Sequence, residues 1–174
     1  TPHCSDSMLP EHDNDARGQL SNVACSILMK VLTLARSARP DMQRAVCTLS
    51  RNITKRSLND DRRIARIVGY IQHPREYRMQ GRIVDNASEL YLGLYVDADF
   101  CGDDASTKST SGGWLTLLGP NGTAMPLAWV CKRQSATSRS TTEAETVALG
   151  HSLFLEAIPA LELWTLILNR DVQL

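Results

Sequence analysis

Between residues 81 and 89 the hydrophobic period of this chain changes from 3.6 to two, and that change limits the fold more than any other feature. A stretch patterned for a helix does not settle as a strand, nor the reverse. The chain must therefore hold a helical part followed by a part built around a sheet.

Residues 20–80 carry the helical period. Val23, Ile27, Leu28, Val31, Leu32 and Leu34 form a broad apolar stripe. A second helix restarts at "ARPD", where Pro40 suits a first turn and Asp41 the positive end of the dipole. Its inward face is Met42, Ala45, Val46 and Leu49. Ser57 is placed to cap a third helix, with Asp60 three residues on and Ile64, Ile67, Val68 and Ile71 as its apolar side. Residues 1–19 are polar, contain Pro2 and Pro10, and read as a flexible lead-in.

From Glu89 the alternation is that of a strand. Leu90, Leu92, Leu94 and Val96 take one face, and Tyr91, Gly93, Tyr95 and Asp97 the other. "GGWLTLLG" is a second strand, Asn121-Gly122 a hairpin turn, and "AMPLAWVCK" a third strand. Pro126 inside the third predicts a sheet edge, because proline cannot donate to a ladder. Ser140 and Glu143 have capping-box spacing at the head of a helix that Pro159 should break or kink, with Leu161–Leu168 as a second piece. Trp114 and Trp129 read as core aromatics. The expected domains are 20–80 and 88–174.

Hydrophobic residues make up 43% of the 174, enough for a core, and the net charge is zero. The overall charge thus advertises no nucleic-acid partner. No apolar run of about 18 residues stands out, so no membrane span is expected, and no signal peptide is visible. Five widely spaced cysteines without a C-x-x-C read as reduced thiols of an intracellular protein. A metal cluster of His3, Cys4 and His12 is the alternative for the first of them.

The chemistry sits where the first strand ends, in "VDADFCGDD". Asp97 and Asp99 lie two residues apart, and Glu145 stands near the start of the capped helix, one turn before Leu149. If that helix crosses the sheet beside the first strand, Glu145 and Asp97 converge. Converging carboxylates repel unless they share a proton or a cation, and oxygen-rich sites suit Mg²⁺ or Mn²⁺. The plain alternative is a solvated acidic turn, with Glu143 and Glu145 complementing the helix dipole.

Four ordered segments add a resemblance: Asp97-Ala98-Asp99-Phe100-Cys101-Gly102-Asp103; Lys108-Ser109-Thr110-Ser111-Gly112-Gly113; Trp129 with Lys132-Arg133-Gln134; and Ser140-Thr141-Thr142-Glu143-Ala144-Glu145. Together they resemble the ribonuclease H region of copia-type LTR-retrotransposon Pol polyproteins. Arg39-Pro40-Asp41, Ala45-Val46 and Leu49-Ser50-Arg51 resemble the stretch that precedes it, between the reverse-transcriptase core and ribonuclease H. The resemblance covers residues 20–174. It implies an α/β fold, a ribonuclease H-like mixed sheet, incomplete here, after a small helical thumb or connection segment. It implies divalent-metal-dependent hydrolysis of RNA in an RNA–DNA hybrid, with Asp97 and Glu145 as catalytic metal ligands and Asp99 as a further candidate.

The same resemblance makes Glu143 the capping residue, and the implied cofactor is Mg²⁺ or Mn²⁺. Lys108, Lys132, Arg133 and Arg139 are the candidates to hold phosphates. The basic run Arg51, Lys55, Arg56, Arg62, Arg63 and Arg66 offers either a face for a duplex backbone or an ordinary solvated face. The implied partners are nucleic acid and the remainder of the polyprotein, with no membrane, in a cytoplasmic particle or the nucleus. The family draws two more carboxylates from a fourth strand and beyond, and Asn169–Leu174 stands where that strand should begin. The expectation is thus a fragment or decayed copy holding two of four ligands, weak or dead as a nuclease, with an unpaired edge on the first strand. An inactive remnant that at most binds nucleic acid is the alternative.

Overall fold

The computed structural model describes residues 1–174 apart from 5–7, 12–14, 74–76 and 104–106, so His12 and Asp104 lie outside the described residues. The chain forms two compact units, Thr1–Met79 and Gln80–Leu174.

The first unit is helical. Helices α1 (Ala24–Ser37), α2 (Gln43–Ser50) and α3 (Leu58–Gln72) bury Ala24, Leu28, Val31 and Ala35, then Ala45, Val46 and Leu49, then Ile64 and Ile67. These side chains form one core with Met42. Ser57 caps α3 as the spacing predicts: its hydroxyl accepts from the Asp60 amide at 3.3 Å, and the Asp60 carboxylate accepts from the Ser57 amide at 3.1 Å. Between α1 and α2, Arg39 grips Asp41 with two hydrogen bonds of 2.9 and 2.8 Å. The Tyr70 hydroxyl donates to the same carboxylate at 2.8 Å. The Arg39 guanidinium also lies over the rings of Tyr70 and Tyr77. The Arg-Pro-Asp turn is therefore a clasp between the α1–α2 connection and α3.

Pro10 and residues 16–20 of the lead-in are tied down rather than loose. The Leu58 amide donates to Ala16 O at 2.8 Å, Gly18 N to Arg56 O at 3.0 Å, and Asn59 Nδ2 to Pro10 O at 2.8 Å. The Asp61 carboxylate accepts from the amides of Gln19 and Leu20 and pairs with Arg56 at 3.5 Å. Polar residues escaped the apolar pattern because this segment is held by backbone groups and buried polar side chains.

The second unit is a three-stranded antiparallel sheet, β1 (Tyr91–Asp103), β2 (Lys108–Leu118) and β3 (Ala124–Arg133), in the order β1-β2-β3. The chain is thus α/β. Pro126 lies in the edge strand β3, where the register shifts between Leu115 and Thr116. The first hairpin is longer than its pattern suggests, because β1 runs on through Asp97 to Asp103 and β2 starts at Lys108. The polar run Lys108–Ser111 is strand because its hydroxyls have partners. Ser109 Oγ accepts from Cys101 N, and Ser111 Oγ accepts from Gln134 Nε2. At the second hairpin Gly122 takes φ +101°, a conformation glycine adopts without strain.

The Asp85 carboxylate accepts from the amides of Asn121 and Thr123 at 2.8 and 3.0 Å. Burial pushes its pKa up, but the Thr123 hydroxyl and these amides outweigh that and hold it below the ordinary carboxylate value. In the first unit the Arg39 hydrogen bonds do the same for Asp41. A carboxylate with a depressed native pKa adds stability above its unfolded pKa of about 3.9, and that stability disappears as pH falls through the lower native value. Both units should hold a flat stability from neutral pH to about pH 5 and lose it below about pH 4. Asp85→Asn should flatten the acid limb of the sheet unit alone, and urea titrations across pH, read separately for the two units, test this.

After the sheet, α4 (Thr141–Ser152), a π turn (Leu153–Ala157) and α5 (Ile158–Leu168) run on as one helix. Pro159 does not break it. The Ile158 amide bonds to Leu153 O, five residues back, and the widened turn admits a residue with no N–H to give. The core of this unit is Leu90, Leu92, Leu115, Leu117, Ala157 and Val172, with Leu153, Leu161, Trp164 and Leu168 packed on it. By length and composition the helix Thr141–Leu168 is long and apolar enough to cross a membrane. Inspection for an uninterrupted apolar run overlooks it, since Glu156 and Glu162 fall inside.

Candidate functional site

α4 lies on the face of the sheet that carries the even-numbered residues of β1. Gly113, opposite Val96 and Val130, shows this: a Cβ there would fall 2.5 Å from Ser152 Oγ and 2.9 Å from Val130 Cγ1. A side chain at 113 would thus push the helix off the sheet. At the far end Gln134, only 6% exposed, bridges the elements. Its Nε2 donates to Ser111 Oγ (3.0 Å) and to Ala144 O (2.8 Å), and its Oε1 accepts from Ser138 Oγ (2.8 Å). Gln134, Ser111 and Ser138 are the residues that seat the start of α4. Their polarity hid that structural role from a reading that searched for carboxylates and cations.

Glu145 is exposed and lines an open groove of about 390 Å³ with Leu94 and Val96 of β1 and Thr142, Thr146 and Leu149 of α4. Asp97 is not part of that groove. It pairs in register with Gly112, is exposed, and by strand alternation shares the opposite face with Tyr91 and Tyr95. Asp99 follows on that face, half-buried and in register with Thr110. The structure brings β1 and α4 together but does not gather the three carboxylates into one shell. Among the described residues no group of three or more His, Cys, Asp or Glu could hold a metal ion. A Mg²⁺ ion wants near-octahedral oxygen ligands, and the described carboxylates do not form such a set.

The candidate cations are dispersed. Lys108 Nζ donates to Ser135 O, and Lys132 Nζ lies 3.4 Å from His151 Nε2 on the α4 face. Arg133 is half-buried at the end of β3, and Arg139 is exposed just before α4, where its amide donates to the Glu143 carboxylate. Glu143 also gives its amide to Ser140 Oγ at 3.1 Å, so it is the residue of the helix cap. The basic run of the first unit is largely occupied. Arg56 is buried against Asp61, Arg63 pairs with Asp60 at 3.1 Å, and Arg66 donates to Thr1 O. Trp114 and Trp129 stack with centroids 5.5 Å apart, half-buried on the face away from α4 rather than in the core.

The chain is similar in sequence to several known proteins, among them Pol polyproteins of transposons. It is 31% identical over 107 residues to the retrovirus-related Pol polyprotein from transposon RE2 of Arabidopsis thaliana. It is 31% identical over 122 residues to the uncharacterized mitochondrial protein AtMg00810 of the same plant. It is 31% identical over 133 residues to secreted RxLR effector protein 161 of Plasmopara viticola, covering 76% of this chain and 84% of that protein. The chain belongs to the same family as secreted RxLR effector protein 161, and it is related to retrotransposon Pol polyproteins. The retrotransposon-related chain spans 46% of the mitochondrial protein and 7% of the RE2 polyprotein, which match 70% and 62% of its own residues. No protein-family model matches it, and no solved structure is a significant match.

Proposed function

We propose that the chain is a segment of a retrotransposon Pol polyprotein whose sheet unit is a ribonuclease H-like piece, and that the 174-residue polypeptide does not itself hydrolyse RNA. The observation that carries this reading is the separation of the carboxylates: Glu145 opens into a groove with Leu94 and Val96, and Asp97 stands on the other face of the same strand. In the copia-type region that the chain resembles, hydrolysis of RNA in a hybrid needs divalent metal held by several carboxylates at once. The nucleic acid and the rest of the polyprotein are partners of that longer protein, and the dispersed cations here favour at most weak, salt-sensitive binding of a hybrid.

The test is a cleavage assay on a labelled RNA–DNA hybrid with Mg²⁺ or Mn²⁺, comparing the chain with Asp97→Asn and Glu145→Gln. The expected result is no cleavage above that of either variant and no metal-dependent rise in melting temperature. Metal-dependent cleavage abolished by either substitution would overturn the reading and make the chain a nuclease in its own right.

A further inference from the structure

We propose that Lys132 of β3 and His151 of α4 form a seat for a sulfate- or phosphate-type oxyanion, and that an anion settling there draws a proton onto His151. Lys132 Nζ lies 3.4 Å from His151 Nε2, on the face of the sheet that α4 covers. An ammonium has only donors, so this contact exists only while His151 is neutral, with the Nε2 lone pair turned to Lys132. At 3.4 Å it is a long hydrogen bond that leaves the ammonium free to take a better acceptor. Among the described residues Lys132 has no carboxylate partner. The other ring nitrogen, Nδ1, is buried without a hydrogen-bond partner among the described residues. The ring is thus wedged with one edge inside the protein, and Nε2 is the edge it presents to Lys132. Lys132 is exposed and His151 half-buried, so an ion from solvent reaches this edge.

Two groups that can both carry positive charge, held this close, oppose each other's protonation unless something negative joins them. An oxyanion does so with separate oxygens, one accepting from the Lys132 ammonium and another from Nε2–H of a protonated His151. Anion and proton then favour each other's binding, as linkage requires. The surroundings supply no substitute. Facing this pair from β2, Ser111 and Gly113 are uncharged, and so are Val147, Ala148, Phe154 and Leu155, one turn away along the helix. Glu156 follows five residues on, and Glu145 opens into the groove beside β1. Arg133 falls on the opposite face of the sheet by strand alternation.

Sulfate is the probe, because its charge stays constant between about pH 6 and about pH 8, where phosphate titrates. The whole chain is titrated with sodium sulfate in place of sodium chloride at constant ionic strength. The His151 Cε1–H resonance is followed, identified by its loss in His151→Gln. The expected result is a saturable movement towards the protonated position, with an apparent Kd about tenfold or more lower at about pH 6 than at about pH 8. Lys132→Met should weaken binding by about tenfold or more at the lower pH, and Lys30→Met, on α1 of the other unit, should not. Should a variant fail to fold, the signal of the unaltered chain still decides. A second arm replaces sulfate by an RNA–DNA hybrid without divalent metal. Movement of the same resonance assigns the anion to a nucleic-acid backbone, and a response to sulfate alone assigns it to a free oxyanion. A His151 signal indifferent to sulfate, equal affinity at the two pH values, or binding untouched by Lys132→Met would each overturn the proposal. The proposal stands apart from the nuclease question, since no cleavage is read.

Discussion

Replacing Asp61 by alanine should destabilise the helical unit by about 3–5 kcal/mol, the usual cost of stripping a buried charge of its counter-charge. The Arg56 side chain is 1% accessible and its guanidinium lies 3.5 Å from the Asp61 carboxylate. Among the described residues none of its nitrogens has a hydrogen-bond acceptor, so Asp61 is the charge that balances it there. The same carboxylate accepts the Gln19 and Leu20 amides, which would also lose their acceptor. Removing both charges with Arg56→Met and Asp61→Asn should cost far less, because no uncompensated ion remains. Urea unfolding followed by far-ultraviolet dichroism measures both. A loss below about 1 kcal/mol for Asp61→Ala would mean that water reaches the pair.

Leu117→Ala should cost the sheet unit about 2–5 kcal/mol. Leu117 is 0% exposed at the centre of the sheet, beside Leu92 at 1% and Leu115 at 2%, under a helix that brings Ala157, Leu161 and Trp164 to the same core. The helix is fastened at its start by Gln134 and passes close to Gly113, so it has little freedom to settle into a void. A domain with about 5–15 kcal/mol in hand cannot absorb such a loss unnoticed. All three tryptophans, Trp114, Trp129 and Trp164, lie in the sheet unit. Their emission therefore follows its unfolding, which dichroism does not isolate because both units carry helices. An unchanged tryptophan midpoint would refute the assigned core.

The apolar periods made the helices, the three strands and the caps at Ser57 and Ser140 legible in the residues. What stayed hidden was held by polar contacts. Asp97–Asp103 and Lys108–Ser111 look like a loop because their ladder is supported by Ser109, Ser111 and Gln134, and no apolar pattern records that. The candidate carboxylates were legible as residue types, but not as a site. Alternation already puts Asp97 on the face of Tyr95, whereas the face that α4 covers depends on the contact of Gly113 with Ser152. Pro159 misled for a related reason: a proline rule assumes regular helical bonding, and the residues give little sign of a π turn.

That π turn sets the phase of the last helix. The extra residue rotates everything after Ala157 relative to α4. Ala144, Ala148 and Ser152 can then meet the sheet at one end while Leu161, Trp164 and Leu168 meet it at the other. Each residue of a regular helix advances about 100°. Loss of a single codon from 153–157 would leave a regular helix with Leu161, Trp164 and Leu168 still towards the sheet, whereas the same loss just after Ala157 would turn them away by about 100°. This short stretch is where the helix can absorb a one-residue deletion, while elsewhere in it the same change would exchange the inside of the domain for its outside.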